Sequence, residues 1–203
     1  IERVRLGSLE PEMISDEDLI RLSASDKFCP QFHLSLQSGC DKTLKAMRRQ
    51  YTTEEYYSLV KKIRKTFPDC SVTTDIMAGF PGETDEDFEE SLKFAEKIGF
   101  AKIHVFQYSV WQGTAAASMP QVPQNKKFER AVKMKNTANK LQKAYLENQV
   151  GKIFPVLFER ENSSDFHHGY TPNYTLVKIP AKKSEKSLRR MIFYVKIVRS
   201  END

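Results

Sequence analysis

The residues able to do chemistry in this chain gather at four points. SLEP at 8–11 offers Glu10, and QSG at 37–39 offers Gln37 and Ser38. TTDIMAGFPG at 73–82 offers Asp75, then a glycine-rich turn with Gly79 and Phe80. QYS at 107–109 offers Tyr108. Each point closes a short run with strand character. In parallel α/β folds functional groups collect at the C-terminal ends of strands, so four such ends in register read as one ligand site. Ordinary structural roles stay open to each: a turn cap for Glu10, a buried amide for Gln37, a cross-strand bond for Asp75. The third point is the most particular. A glycine-rich strand-to-helix turn usually cradles phosphate on helix N–H groups, with a Lys to complete the site. Here no Lys follows, and Asp85, Glu86 and Asp87 open the helix. Those acids favour the helix dipole and would repel an anion. The turn is built to approach something closely, and that something is not a phosphate.

Other chemistries are poorly supported. No Ser-His-Asp order, HExxH or Walker motif occurs. His33 and His104 sit in strands on apolar stretches and read as core histidines. His167 and His168 form a loop pair with no adjacent carboxylate or thiol. Cys29, Cys40 and Cys70 are odd in number, widely spaced and outside any C-x-x-C pattern, so neither a disulfide framework nor a metal site is indicated. Reduced thiols, no signal-peptide pattern and no apolar run near the roughly 20 residues that span a bilayer point to a cytoplasmic protein with no membrane partner.

The elements that must position these residues alternate. Residues 3–7, 31–36, 72–77 and 101–108 read as strands. Asp16 and Asp41 are candidate caps of two short helices. TTEE at 52–55 is a capping box, and its helix sets Tyr56, Leu59, Val60, Ile63 and Phe67 on one stripe. Thr84 caps the next helix, and Gly99 is placed to stop it. Strands alternating with helices mean βαβ units and a parallel sheet. Four such units fill about half of a closed eight-stranded barrel, so this α/β fold is either a small open sheet or a piece of a TIM-type barrel. A proline-bearing connector leads to a long helix over 128–150, with Phe128, Ala131, Met134, Ala138, Leu141 and Tyr145 on one face. After Gly151 the period becomes two, and 153–160, 170–179 and 191–198 read as strands of a small all-β barrel. The domain division is 1–123, 124–150 and 151–203.

The net charge of +5 divides unevenly: residues 1–123 carry −4 and residues 124–203 carry +9. A basic end on a mildly acidic body suits a polyanion. In the β module His168, Tyr170 and Tyr174 interleave with Arg160, Lys178, Lys182, Lys183, Arg189 and Arg190. Rings beside cations compose an RNA-binding face on a small barrel, and the same tyrosines can instead pack the barrel.

Three ordered stretches carry a resemblance: HLSLQSGCDKTLKAMRRQYT at 33–52, TDIMAGFPGETDEDF at 74–88, and GKIFPVLFE with HGYTPNYTLVKI from 151 to 179. They resemble the methylthiotransferases of the radical S-adenosylmethionine (SAM) superfamily, and RLGSLEPEMI with HLSLQSG looks most like the branch acting on threonylcarbamoyladenosine in tRNA. The resemblance implies the C-terminal part of a radical SAM partial barrel followed by a small, possibly truncated, OB-like TRAM domain. It implies SAM and 4Fe–4S clusters as cofactors, tRNA as partner, and methylthiolation at C2 of a modified adenosine next to the anticodon. It makes Glu10, Gln37, Ser38, Asp75, Gly79, Phe80 and Tyr108 the SAM-binding set, with the GFPG turn beside the adenosyl group. Alternatives are the isopentenyladenosine branch, the branch acting on a ribosomal protein, and a non-catalytic RNA-binding module. The family's C-x-x-x-C-x-x-C motif is absent from this sequence, which reads as a fragment expected to be inactive alone. The family's Ser-x-Arg-x-Gly-Thr-Pro becomes SVWQGTA at 109–115, with Trp111 for Arg and Ala115 for Pro, and Gln107 stands where proline is usual.

Overall fold

The computed structural model describes residues 1–159, 165–181 and 187–201. Strands β1 (Ser8–Leu9), β2 (Gln31–Leu34), β3 (Ser71–Ala78) and β4 (Lys102–Gln107) form one parallel sheet in the order β1-β2-β3-β4. Helices α1 (Asp16–Ser23), α2 (Asp41–Ala46), α3 (Thr53–Thr66), α4 (Asp85–Ile98) and α5 (Gln124–Glu147) accompany it. The pleat sends Phe32, Leu34, Val72, Ile76 and Ile103 into a core with Tyr56, Val60 and Ile63 of α3, Phe88 and Leu92 of α4, and Met134 and Ala138 of α5. The opposite face is not covered by helices, and His33, Thr73, Asp75, Met77, His104 and Phe106 alternate onto it. This is the wall of an open barrel.

The second sheet is antiparallel, with β5 (Ile153–Phe158), β6 (Phe166–Tyr170), β7 (Leu176–Pro180) and β8 (Ile192–Lys196) in the order β7-β6-β5-β8. Its core is small: Phe154, Val156, Phe158 and Val177. The module docks against the N-terminal ends of the parallel strands. Ser71 Oγ donates to Asn173 O at 2.7 Å, and Asn173 Nδ2 donates to Asp69 O at 2.8 Å. Arg3 donates to Tyr170 O at 2.8 Å and also to Pro155 O.

Several sequence expectations shift. The first strand is not 3–7; that stretch makes one bridge, Val4 to Phe28, and pairing resumes at Ser8. Ser15, not Asp16, caps α1 in a capping box with Asp18. Cys40 stands at the N-cap of α2, and the Asp41 carboxylate instead accepts from Thr53 N–H at 2.7 Å, tying α2 to α3. The capping boxes at Thr52 and Thr84 and the left-handed stop at Gly99 form as read. The single strand over 170–179 is two, because Thr171 and Asn173 close a turn with Thr175 that folds the chain back. Phe128 does not face the core; it is 61% exposed, while Lys127 and Arg130 are buried. The reason lies in the candidate site.

Candidate ligand site at the strand ends

Buried tyrosines shape the end of β2. Tyr56 OH donates to Leu34 O at 3.0 Å, and Tyr51 OH to Ser35 O at 2.8 Å. Thr74 Oγ1 of β3 donates to Leu34 O at 2.6 Å and accepts from Leu36 N–H at 3.0 Å. The chain then kinks at Gln37, whose φ of 65° lies in the left-handed region that residues with a side chain seldom adopt. The kink is held by backbone bonds to β3, Gln37 N–H to Asp75 O and Met77 N–H to Gln37 O, both 2.9 Å. Ser38 is buried, and Gly39 presses on α4, where a Cβ would stand 2.7 Å from Phe94 Cβ.

The turn after β3 shows what the acids are for. Gly79 has φ 76°, and a Cβ there would lie 2.5 Å from Lys127 Cγ, so the close approach is to α5. Gly79 N–H donates to Glu83 Oε2 at 2.9 Å. Glu83 is buried and pairs with Arg130 at 2.8 Å. Burial pushes its carboxyl up, against the pull of the guanidinium and the Gly79 N–H. Arg130 reaches Asp85 with its other nitrogen at 2.8 Å, and its hydrogen bond, with that of Lys126, holds Asp85 below the usual carboxylate range. Asp87 accepts from Thr84 N–H at 2.9 Å and from Lys42 at 2.8 Å. Cations of α5 and α2 therefore neutralise the acid-rich turn. That is why α5 buries Arg130, while Lys127 packs on Gly79 and donates to Tyr108 O at 3.3 Å, and Phe128 turns out. Sequence reading missed Lys127 and Arg130, although an uncompensated acidic turn followed by KKFER at 126–130 was a usable signal.

Tyr108 closes the edge beyond β4. Its ring meets Phe80 edge-to-face at 5.5 Å, and Lys127 Nζ lies 4.9 Å over it. Both rings are mostly buried, and the Tyr108 hydroxyl is buried with no hydrogen-bond partner among the described residues. Gln37, Ser38, Gly79, Phe80 and Tyr108 thus stand at neighbouring strand ends. Glu10 stands at the end of β1, with both oxygens 2.8 Å from Arg49 Nη1. Asp75 lies lower, on the open face of β3, 3.3 Å from His33 Nε2. His33 and His104 are not core histidines: the pleat turns them onto that open face, because their neighbours Phe32, Leu34 and Ile103 take the core side. Trp111 is 77% exposed.

In the β module, Tyr170 and Tyr174 stack on each other at 4.4 Å and 12°, and the Arg5 guanidinium lies 3.5 Å over Tyr174. The Tyr174 ring is therefore engaged from within the chain, and Arg5 was invisible to a reading that treated the module alone. His168 pairs in register with Lys178. Arg189 and Arg190 are exposed in the turn before β8. Arg160, Lys182 and Lys183 lie outside the described residues. A cavity of about 970 Å³ separates the module from the open face of the sheet, lined by Arg5, His33, Thr73, Lys102, His104 and Tyr174 among others.

The cysteines do not make a cluster site. All three thiols are buried, which raises Cys29 and Cys40 and pushes Cys70 up to about 11, so they stay protonated. Among the described residues, the metal-ligating side chains that converge include no cysteine. Gln37, Ser38, Phe80 and Tyr108 are themselves almost wholly buried at the strand ends.

Comparison with known proteins agrees with this geometry. Residues 3–95 match the Radical SAM superfamily. The chain is 41% identical over 160 residues to tRNA-2-methylthio-N(6)-dimethylallyladenosine synthase of Acetivibrio thermocellus, covering 78% of this chain and 33% of that protein. It is 37% identical over 205 residues to threonylcarbamoyladenosine tRNA methylthiotransferase of Bacillus subtilis, covering 98% of this chain and 45% of that protein. The chain thus spans less than half the length of these curated relatives. Among solved structures, coproporphyrinogen III oxidase of Escherichia coli, described as a radical SAM enzyme, superposes with a TM-score of 0.56 at 14% identity, over 84% of this chain and 46% of that one. The family model and the sequence relatives make the chain a member of the radical SAM superfamily, in the methylthiotransferase family.

Proposed function

We propose that this chain forms the SAM-side wall and an RNA-holding module of a tRNA methylthiotransferase acting on threonylcarbamoyladenosine. The observation that carries the reading is the alignment to the Bacillus subtilis enzyme of that name over 98% of the chain. Gln37, Ser38, Gly79, Phe80 and Tyr108 would hold SAM. They lie together at the ends of β2, β3 and β4, the edge at which parallel α/β folds bind ligands. When bound, SAM supplies the radical chemistry and the methyl group. The three buried cysteines of this chain do not fit an iron–sulfur cluster. The basic β module, here read as a TRAM domain, holds tRNA by phosphate contacts, which makes its affinity fall steeply with salt. A cytoplasmic location follows from a tRNA substrate.

A second reading has a specific support: the dimethylallyladenosine enzyme of Acetivibrio thermocellus is 41% identical, though over less of the chain. The deciding experiment is mass spectrometry of tRNA nucleosides from a strain lacking the gene. Loss of methylthiolated threonylcarbamoyladenosine, with its unthiolated precursor accumulating, is the expected result. Loss of the methylthio group from the isopentenyl derivative instead would move the substrate to the second branch. No change in either, with no other tRNA modification lost, would count against tRNA as the substrate and favour a protein acceptor.

A further inference from the structure

His33, Asp75 and His104 come from three adjacent strands and serve no packing role. Asp75 pairs in register with His104 across β3 and β4, and His33 pairs with Thr73 two residues below Asp75. The parallel pleat therefore sends all three side chains to the open face. One ligand atom from each lies within 4.8 Å of the other two. His33 Nε2 is 3.3 Å from Asp75 Oδ2, and the two imidazole rings are 5.8 Å apart, tilted by 52°. Three donors around one ion at about 2.0–2.2 Å stand about 3.0–3.5 Å apart, so one pair already has the spacing, and side-chain rotation of about an ångström brings in the third. Two of the chain's four histidines are spent here.

The surroundings are those of a ligand set. His33 Nδ1 is 2.9 Å from Thr73 Oγ1, and that hydroxyl oxygen also accepts from Gln31 Nε2 at 3.2 Å. With Nδ1–H donating to Thr73, the Nε2 lone pair is aimed at the position beside Asp75. Metal-bound histidines are usually oriented in this way through their second nitrogen. With the opposite tautomer, Nε2–H simply donates to Asp75. The two arrangements differ by whether a cation sits between the groups. His33 and His104 also line the 970 Å³ cavity, which leaves the far side of such an ion open. Two imidazoles and one carboxylate on one side, with open positions opposite, suit zinc, iron(II) or cobalt(II). Magnesium and calcium prefer all-oxygen sets, and thiolates are absent.

We propose that His33, Asp75 and His104 form a three-ligand site for a divalent first-row transition-metal ion, distinct from any iron–sulfur chemistry and facing the cavity between sheet and β module. The test is titration of the chelator-stripped 203-residue chain with cobalt(II) chloride, read by absorption. Uptake of one ion with visible d–d bands and no near-ultraviolet thiolate charge transfer is expected. His104→Gln and Asp75→Asn are each expected to weaken binding at least tenfold, while His168→Gln leaves it unchanged. His104 is exposed and Asp75→Asn is isosteric, so circular dichroism is expected to show both variants folded. Thiolate charge-transfer bands would assign the ion to the cysteines. Absence of uptake at millimolar cobalt, or binding by both variants as tight as wild type, would leave His33 and Asp75 as an ordinary hydrogen-bonded pair. Each of these three results overturns the site, and none bears on the tRNA substrate.

Discussion

The two sheets are stabilised by different means. The parallel sheet shares a continuous core with its helices, in which Phe32, Tyr56, Ile63, Phe100 and Met134 are sealed from solvent. Among its described residues the β module buries four apolar side chains, and β8 leaves Ile192, Phe193 and Tyr194 between 39% and 79% exposed. What the module lacks in core it recovers by docking, through Arg3, Arg5, Ser71 and Asn173. The two ends of β3 repeat the contrast. Its C-terminal loop is fixed by a buried ion pair, and its N-terminal end is joined to the module by neutral hydrogen bonds and exposed charges. The candidate ligand edge therefore sits on the rigid part of the molecule, while the basic residues ride on the part that is least able to stand alone.

The largest expected effect tests that ranking directly. Phe32→Ala removes a fully buried ring packed between Phe28 and Phe67, at a cost of about 4 kcal/mol. Val156→Ala in the module costs about 2 kcal/mol. Hydrogen exchange is expected to show Phe32→Ala lowering protection in both sheets, and Val156→Ala lowering it in β5–β7 alone. Equal loss in β2 and β3 from the module variant would break the comparison. Next is Arg130→Met, which strands the buried Glu83 carboxylate and costs about 3 kcal/mol in urea unfolding. Adding Glu83→Gln keeps an acceptor for Gly79 N–H without a buried charge. The double variant is expected to be more stable than Arg130→Met alone. If it is less stable, the loop is held by something other than this pair.

Much of the rigid half was legible because its signals are local. TTEE and TDED carry their own caps, and the stripe from Tyr56 to Ile63 carries its own periodicity. The four strand ends were legible for the same reason, since each strand run is closed by a polar or glycine-bearing stretch. What was not legible depends on contacts distant in sequence. The glycine turn pointed to a close approach, but nothing local says that its partner is Lys127, or that the acids after it meet Arg130, more than 40 positions on. The pleat direction of His33 and His104 could not be fixed without knowing which face of the sheet the helices cover. Tyr170 and Tyr174 read as a platform in isolation, and only the folded chain brings Arg5 onto them. The period-two run over 170–179 hid a turn because Thr171, Asn173 and Thr175 bond to one another rather than to a neighbouring strand.

The docking contacts give a smaller effect. Asn173→Ala removes the bond to Asp69 O and the side-chain acceptor for Thr175 within a buried turn, for about 2 kcal/mol. The loss is expected in the module's hydrogen-exchange protection, with β2 and β3 unchanged. A loss spread evenly over both sheets would mean that the two unfold as one unit.

The smallest expected effect concerns acid. Asp87 is mostly buried, and burial alone would raise its carboxyl. The bonds from Lys42 and from Thr84 outweigh that and hold it below the usual range of about 3.9. A carboxylate whose pKa is depressed on folding stabilises the native state above the unfolded value, and that contribution is lost as pH falls through the folded value. Because burial opposes the three bonds, the net gain is modest. Urea unfolding of wild type and Asp87→Asn from neutral pH down to about pH 2 is expected to show wild type ahead at neutral pH, with the gap closing below about pH 4. The chain's acid limb would then begin at the capping box of α4, inside the rigid half rather than in the docked module. A gap that stays constant with pH would mean that Lys42 and the cap only offset the burial of Asp87. The C-terminal loop of β3 would then owe its order to Glu83 and Arg130 alone.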